Sequence, residues 1–540
     1  MKRATACERC RLIRRRCMRR GLGQACSLCQ SRNLQCSFAK SEILRAPRPI
    51  WVCPASQRIA AQSTTIDAPD TTATRDVTAI ELLPASTVRE MVEHYLTKLH
   101  DRPHSLFHPQ SLLRSIEDGT IKKALLYSIC SLGCRFMATS SLRDLETVFM
   151  AESKSLLQAD FEHVSVQNIQ ACILVANLCA AHLQTQSEAL YFRMANSIMQ
   201  IMEVADPLPS CTSAITKEIR RRIWWTLFMA DYWCSSGLDL PRQLNYCDRV
   251  DLPMAEDVFH AMREDHIEYP IATSWKPGLW AHMITLVQFF GPVMDLNRRC
   301  ASPSFSAEER DRTVAALSLQ LHQWEEMLPC DVRNSTENLL EHKARGLGGP
   351  FVALHLGFHH YATLLYFQFL SSPNEPLYAR RCKYHARAYS TLLEQARKTG
   401  SCEAVYPTVG HMATVSSATL LYTLLFGDEF ELADSRAGLN TNFEALIELR
   451  TYWPRLTSWQ IERLITFQNL CLLAVRNENA QTHQLDRWML RFLVEHALPL
   501  ESKVPGLSNM NGMWVQAQEL RKQGRFTDFT EMAPAHYTGV

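Results

Sequence analysis

Cys7, Cys10, Cys17, Cys26, Cys29 and Cys36 fall as two copies of C-x-x-C-x-x-x-x-x-x-C joined by eight residues. A thiolate pair two residues apart can clamp one metal ion from a tight turn, and the third cysteine of each copy returns after a segment the length of a short helix. Two four-coordinate ions need about eight metal–sulfur bonds, so six ligands suffice only if two sulfurs bridge both metals. A two-zinc cluster is the economical reading.

The residues between the cysteines point to its partner. From Met1 to Lys40 there are eleven Lys and Arg against one acid, Glu8, a formal charge of about +10. Six thiolates and two zinc ions together carry about −2, which leaves roughly +8 on the metallated segment. The whole chain is only +2, so residues 41–540 sum to about −8 and the basicity is local. A compact cross-linked module with such a field holds phosphate backbones through counterion release.

This segment resembles the two-zinc, six-cysteine DNA-binding domain of fungal transcription factors. Both C-x-x-C pairs, both six-residue gaps, Arg11 directly after the second cysteine and the run Arg14, Arg15, Arg16 before the third match that family's pattern. The resemblance implies that Cys7 and Cys26 bridge the metals, that Cys10 and Cys17 complete one site, and that Cys29 and Cys36 complete the other. It further implies that the end of a first short helix enters the major groove over a CGG-like triplet, with Arg14 at the position of a base-contacting Lys. Arg suits that position, since its planar fork can bond guanine O6 and N7 together. Ile13 stands where the family has a basic residue, and the loop Gly21 to Ala25 lacks the family's proline.

Other uses of six cysteines are disulfides, a store for soft metals, or a zinc module for RNA or protein. Met1 to Cys36 has no apolar signal-peptide core, and thirteen further cysteines lie scattered, such as Cys130, Cys134, Cys172 and Cys179 in apolar stretches. Buried thiols in a reducing compartment look like this, which argues against disulfides. Only Phe38 lies near enough to stack on RNA bases.

Elements that position the module follow. Residues 41–83 carry Pro47, Pro49, Pro54 and Pro69 and a Ser/Thr-rich stretch from Ser63 to Thr78, so they read as a flexible linker. No run of three heptads follows the cysteines, and Ala79 to Leu83 is too short for a zipper. The chain therefore acts as a monomer or dimerises through its helical part. From Pro84 the sequence is mainly α: Val88, Met91, Val92, Tyr95, Leu96 and Leu99 recur at helical spacing, as do Leu125, Leu126, Ile129 and Leu132. The length leaves room for two packed helical subdomains.

This region in turn resembles the regulatory middle domain of the same fungal family. The similarity rests on His94 to Pro109, on Glu218-Ile219-Arg220-Arg221-Arg222-Ile223-Trp224-Trp225 with Leu227 and Asp231, and on Arg249-Val250-Asp251-Leu252-Pro253. Trp324 to Pro329 and Leu354-His355-Leu356 with His359 and His360 continue it. It fades past about residue 430. The domain organisation expected is thus 1–40 zinc cluster, 41–83 linker, 84–430 helical regulatory domain and 431–540 a helical extension with a partly disordered tail.

Several stretches invite other functions. Arg220 to Arg222 beside two tryptophans could bind an anion, but helical spacing splits them among faces, so pairing with domain acids and tryptophans in the core is expected. The uncharged run from Gly346 to Asn374 contains His355, His359, His360 and Gln368 and reads as a buried core helix, not a membrane span. His94, His100, His104 and His108 read as loop and helix-end residues, with Pro103 and Pro109 interrupting any shared face. Gly346 to Gly349 reads as a turn, and no G-x-S-x-G or H-E-x-x-H motif occurs, so no enzyme is expected. Asp428 to Asp434 alternates acidic and apolar residues, as activation segments and solvated loops both do.

These readings converge on a zinc-dependent, sequence-specific DNA-binding regulator of RNA polymerase II transcription in a fungal nucleus, with a biosynthetic gene cluster as a plausible target. Two Zn2+ per chain fold the module. Arg9, Arg11, Arg14, Arg15, Arg16, Arg19, Arg20 and Arg32 supply phosphate contacts and one or two base contacts, and Arg14 to Arg20 double as a nuclear import signal. Double-stranded DNA and the transcription machinery or co-regulators are the expected partners, with no membrane. The competing reading is a zinc-module co-regulator that acts through protein contacts with little DNA affinity.

Overall fold

The computed structural model describes residues 17–18, 26–31, 80–204, 206, 212–238, 240–263, 276–302, 305–371, 376–475, 489–493 and 518–527. The chain divides into two units, Met1–Arg75 and Asp76–Val540. Among the described residues of the first is one short helix, α1 (Ser27–Ser31). The linker expected at 41–83 lies outside the described residues up to position 79.

The second unit is a stack of helices. In chain order they are α2 (Ala85–Lys98), α3 (Pro109–Glu117), α4 (Lys123–Gly133), α5 (Ser140–Arg143), α6 (Leu145–Ala159), α7 (Val166–Ala181), α8 (Thr185–Ile201) and α9 (Ala214–Leu238). Then come α10 (Glu256–His260), α11 (Leu279–Val287), α12 (Phe290–Cys300), α13 (Ala307–Glu326), α14 (Thr336–Ala344), α15 (Gly348–Tyr366), α16 (Pro376–Thr399), α17 (Thr408–Phe426), α18 (Leu432–Tyr452) and α19 (Pro454–Val475). Extended pairing among the described residues is limited to two isolated bridges, His100 with His104 and Met254 with Pro277.

Local sequence chemistry starts these helices. Ser165, Ser306 and Ser335 each accept, through the side-chain oxygen, the amide N–H three residues on, and so cap α7, α13 and α14. His108 caps α3 through Nδ1, with Pro109 at the first helical position, where a missing N–H costs nothing. The apolar stripe of α2 turns inward, with Met91, Val92, Tyr95 and Leu99 buried.

Helices α7, α15 and α17 carry apolar residues on every side and form the spine. All of α15 is buried, and it touches α11, α12, α13, α14, α16 and α17. The run from Gly346 is therefore a core helix, as its polar interruptions suggest; Gly346 makes the turn with φ 74°, while Gly348 and Gly349 already belong to α15. Helix α17 is long and apolar enough to cross a membrane, and four-fifths of it is buried inside the protein. Because these spines share neighbours, one main apolar cluster runs from Ile80 to Leu493, with a small satellite of Ala214, Ile215, Met254, Phe259 and Met262, instead of two subdomain cores. Arg135 reinforces that continuity: it pairs with Glu146 of α6 at 2.6 Å, donates to the Tyr452 carbonyl at the end of α18 at 2.8 Å, and lies over the Trp453 ring.

The acidic stretch Asp428 to Asp434 opens α18. Asp428 forms a capping box with Glu431, and Glu431 and Asp434 pair with Lys383 and Arg387 of α16 at 2.7 and 2.9 Å. Of the C-terminal tail, residues 518–527 are described, and they dock on this region: Arg525 donates to the Gly427 carbonyl and Gln468 to that of Thr527. The remainder of the tail lies outside the described residues.

Candidate nucleic-acid interface and a buried polar hub

Three of the six expected zinc ligands fall on described residues. Cys26 directly precedes α1 and its carbonyl accepts from the Gln30 amide at 3.0 Å, while Ser27 donates its amide to the Met18 carbonyl at 3.1 Å. Cys17 and Met18 are thereby held beside the helix that carries Cys29. Cys26 and Cys29 lie one turn apart and are both buried, Cys17 half-buried. Two buried thiols and a half-buried one in a small basic segment with few large apolar side chains suit a soft, thiolate-preferring ion such as Zn2+. Cys7, Cys10 and Cys36, together with Arg9, Arg11, Arg14, Arg15, Arg16, Arg19, Arg20 and Arg32, lie outside the described residues.

The second unit contains a polar cluster that sequence reasoning reached only in part. Arg222 of α9 is wholly buried. Its Nε donates to Glu218 Oε1 at 2.9 Å, its Nη1 to Ser105 Oγ at 2.7 Å and its Nη2 to the Met254 carbonyl at 2.8 Å. The guanidinium also stacks on Phe259 at 4.3 Å. Glu218 in turn accepts the Met254 amide at 3.1 Å and an N–H of Arg221.

Asp101 completes this hub from a tight turn, with φ 60° in the left-handed region that Asp tolerates better than most residues. It accepts from Ser105 Oγ and lies 3.2 Å from His100 Nδ1, 2.9 Å from His260 Nε2 and 3.5 Å from Arg222 Nη1. Burial alone would raise its pKa, but the two histidines outweigh that and hold the carboxyl well below the ordinary range. For His260 burial is likewise outweighed by Asp101, and its pKa is raised; for His100 burial wins, and its pKa is lowered. Glu256 receives the Leu279 and Trp280 amides at the start of α11, each at 3.0 Å, and burial raises its pKa despite Arg222.

His100, Asp101 and His260 lie close enough to suggest a metal site. The hydrogen bonds exclude it. His100 Nε2 accepts the amides of Leu106 and Phe107, both at 3.0 Å, so the ring proton sits on Nδ1 and is given to Asp101, leaving no lone pair for a cation. His104 is also buried, against Tyr95 Oη at 2.9 Å. These residues do occupy a loop, as expected, but they are structural hydrogen-bonding groups of the core.

Two of the three arginines pair with an acid as anticipated, and the third pairs with backbone carbonyls instead. Arg221 and Arg222 share Glu218, and Arg220 caps the C-terminus of α8 by donating to the Met202 and Glu203 carbonyls. Trp224 and Trp225 are core residues. Helix α9 emerges as a clamp: Glu218 and Arg222 hold Met254, Trp225 Nε1 donates to the Asp251 carbonyl at 2.8 Å, and, from another face, Asp231 accepts the amides of Gln243 and Leu244. The segment from Arg249 to Pro253 thus owes its path to α9.

With this geometry in view, comparison with known proteins is decisive. A fungal Zn(2)-Cys(6) binuclear cluster domain matches residues 5–44, and a fungal specific transcription factor domain matches residues 92–326. This chain belongs to the fungal Zn(2)-C6 transcription factors. The family is one of transcription factors, not enzymes, and its cluster domain binds zinc. An uncharacterized transcriptional regulatory protein of Schizosaccharomyces pombe is 24% identical over 70% of this chain and 52% of its own length. The Zn(2)-C6 fungal-type transcription factors FTF1a and FTF2 of Fusarium oxysporum are 23% and 22% identical, over 73% of this chain and 40% and 41% of theirs. The chain spans about half or less of the length of these relatives. The hub from His100 to His260 falls inside the matched transcription factor domain, so the clamp on the 240–254 segment is a feature of that domain in this member. Asp101, Glu256 and His260 escaped the sequence reading because their partners come from distant elements; Asp101, set between His100 and Pro103, carried the only local hint.

Proposed function

We propose that this chain is a nuclear, zinc-dependent regulator of RNA polymerase II transcription that binds DNA in a sequence-specific way. The observation that carries the reading is the six-cysteine pattern within a segment of eleven cations and one acid, matched over residues 5–44 by the binuclear cluster domain. Residues 1–40 form the module, folded by two zinc ions because roughly 40 residues bury too little apolar surface alone. Cys7 and Cys26 bridge, Cys10 and Cys17 finish one site, and Cys29 and Cys36 finish the other. Arg14 reads guanine in a CGG-like triplet, and Arg9, Arg11, Arg15, Arg16, Arg19, Arg20 and Arg32 hold phosphates. Residues 41–83 link this module to a regulatory domain at 84–430 with an extension to 540, and the target is a biosynthetic gene cluster.

The test is selection of the zinc-loaded full chain against a random duplex pool at fixed salt. Enrichment of one CGG-like triplet supports a monomer, and two triplets at fixed spacing support a dimer made through the helical domain. With two zinc ions per chain confirmed, no enrichment would refute the reading in favour of a co-regulator that works through protein contacts.

A further inference from the structure

Between α9, α12, α15, α17 and α19 the second unit forms a partly open cavity of about 380 Å3. Its wall is mostly apolar and aromatic: Trp233, Leu238, Met283, Phe290, Met412 and Trp459. Small residues on α15 open the space, since Ala353 and Gly357 stand one turn apart on the lining face, where larger side chains would fill it. The size and character are those of a small-molecule site, with room for on the order of a dozen non-hydrogen atoms at about 30 Å3 each.

One lining residue breaks the pattern. Arg102 is 7% exposed, and among the described residues its only hydrogen bond is from Nη1 to the His100 carbonyl at 3.2 Å. Its Nε is buried without a partner, and no carboxylate among the described residues pairs with it. The nearest acids are committed elsewhere: Asp101 to the hub, and Glu403 to Lys98 and the Ser401 amide. The guanidinium packs on Gly349, where a Cβ would collide with Nη2, at the N-terminal turn of α15. That end of a helix carries partial positive charge, so it adds to the demand for an anion instead of offsetting the cation. A buried, unpaired arginine is costly unless something pairs with it.

We infer that this cavity binds a small organic anion, an aryl or alkyl carboxylate whose apolar body fills the aromatic wall and whose carboxylate pairs with Arg102. Tyr406, His360 and Gln460 also line the space and supply polar contacts around that end. Burial raises Glu188, another lining residue, to about 7, well above an ordinary carboxyl, which weakens its repulsion of the guest. This site is independent of the DNA-binding reading, since it needs only the helical unit.

The test titrates the full chain with 2-naphthoate and with neutral 2-naphthamide, which share a shape. Calorimetry and the fluorescence of Trp233 and Trp459 report binding. Wild type should bind naphthoate saturably at one per chain and at least tenfold tighter than the amide. Arg102→Met should abolish that preference while leaving amide affinity within twofold, and the unliganded variant should be as heat-stable as wild type or more so, because an unpaired buried charge is removed. Gly357→Val, which narrows the cavity, should weaken both probes at least tenfold. The inference falls if neither probe binds wild type up to millimolar concentration, or if both bind wild type equally. It falls also if Gly357→Val leaves both affinities unchanged, or if Arg102→Met is destabilised or unfolded, which would make Arg102 a structural partner.

Discussion

Replacing Arg222 by Met should release the 240–254 segment from α9 and lower the stability of the helical unit by about 3–5 kcal/mol, the usual cost of breaking a buried ion pair from one side. The magnitude follows from what is stranded. Glu218 is fully buried and would keep only Arg221 and the Met254 amide, the Met254 carbonyl would lose its donor, and Ser105 would lose the cation that orients it. Adding Glu218→Gln should recover part of the loss, with a coupling on the order of 1–3 kcal/mol, because the uncompensated carboxylate is then gone. Urea unfolding of the full chain, followed by tryptophan fluorescence, measures the shift. Trypsin adds a local readout: Arg249 is exposed within the clamped segment, and cleavage there should accelerate in Arg222→Met well before global unfolding. A loss below about 1 kcal/mol with unchanged cleavage at Arg249 would show that α9 does not hold this segment.

Acid should destabilise the helical unit from below pH 6.5, because burial pushes His104 to about 3 and His355 to about 4, so the unfolded chain binds protons that the folded one refuses. At pH 5 each contributes a cost of about 2 kcal/mol, while His260, whose pKa is raised, works in the opposite sense and adds stability that fades as pH rises through its folded value. Equal melting temperatures at pH 5 and 7 would contradict this balance. Gly133→Ala should cost about 1–3 kcal/mol, since the new Cβ meets the Met91 carbonyl where α4 crosses α2; a melting curve unchanged from wild type would disprove that close approach. Cys10→Ala should lower zinc below two per chain and abolish duplex binding, measured by atomic absorption and a gel-shift titration at fixed salt. Arg14→Ala should relax base preference more than it weakens non-specific binding, whereas Arg19→Ala should reduce the salt slope by about 1 with preference intact; identical behaviour of the two would misplace the reading residue.

The hub and the cavity share a boundary in the short turn His100 to Ser105. Asp101 points its charge into a network of histidines, Ser105 and Arg222, and the next residue, Arg102, lines the space with one hydrogen bond, to the His100 carbonyl. Movement of this turn would therefore register both at the α9 clamp and in the cavity, which makes cleavage at Arg249 in the presence of 2-naphthoate an informative companion measurement.

The six-cysteine pattern, local charge and helical class were readable from the chain alone, because each depends on residues near one another in sequence. A C-x-x-C pair is close in space through covalent geometry, a run of arginines makes its field wherever the chain goes, and the stripe from Val88 to Leu99 declares a helix whatever it packs on. The same logic marked the Gly346 run as a core helix, since its polar residues interrupt every face. The tertiary structure alone decided which member of Arg220, Arg221 and Arg222 is wholly buried, why Asp101 meets His260, and that Arg102 has no carboxylate partner among the described residues. Burial and hydrogen-bond partnership are set by elements far apart in the chain, and a side chain's desolvation depends on all of them at once. For the same reason the room that the length leaves for two helical subdomains is filled by one main core: α15 and α17 are apolar all round, and only their neighbours determine what they join.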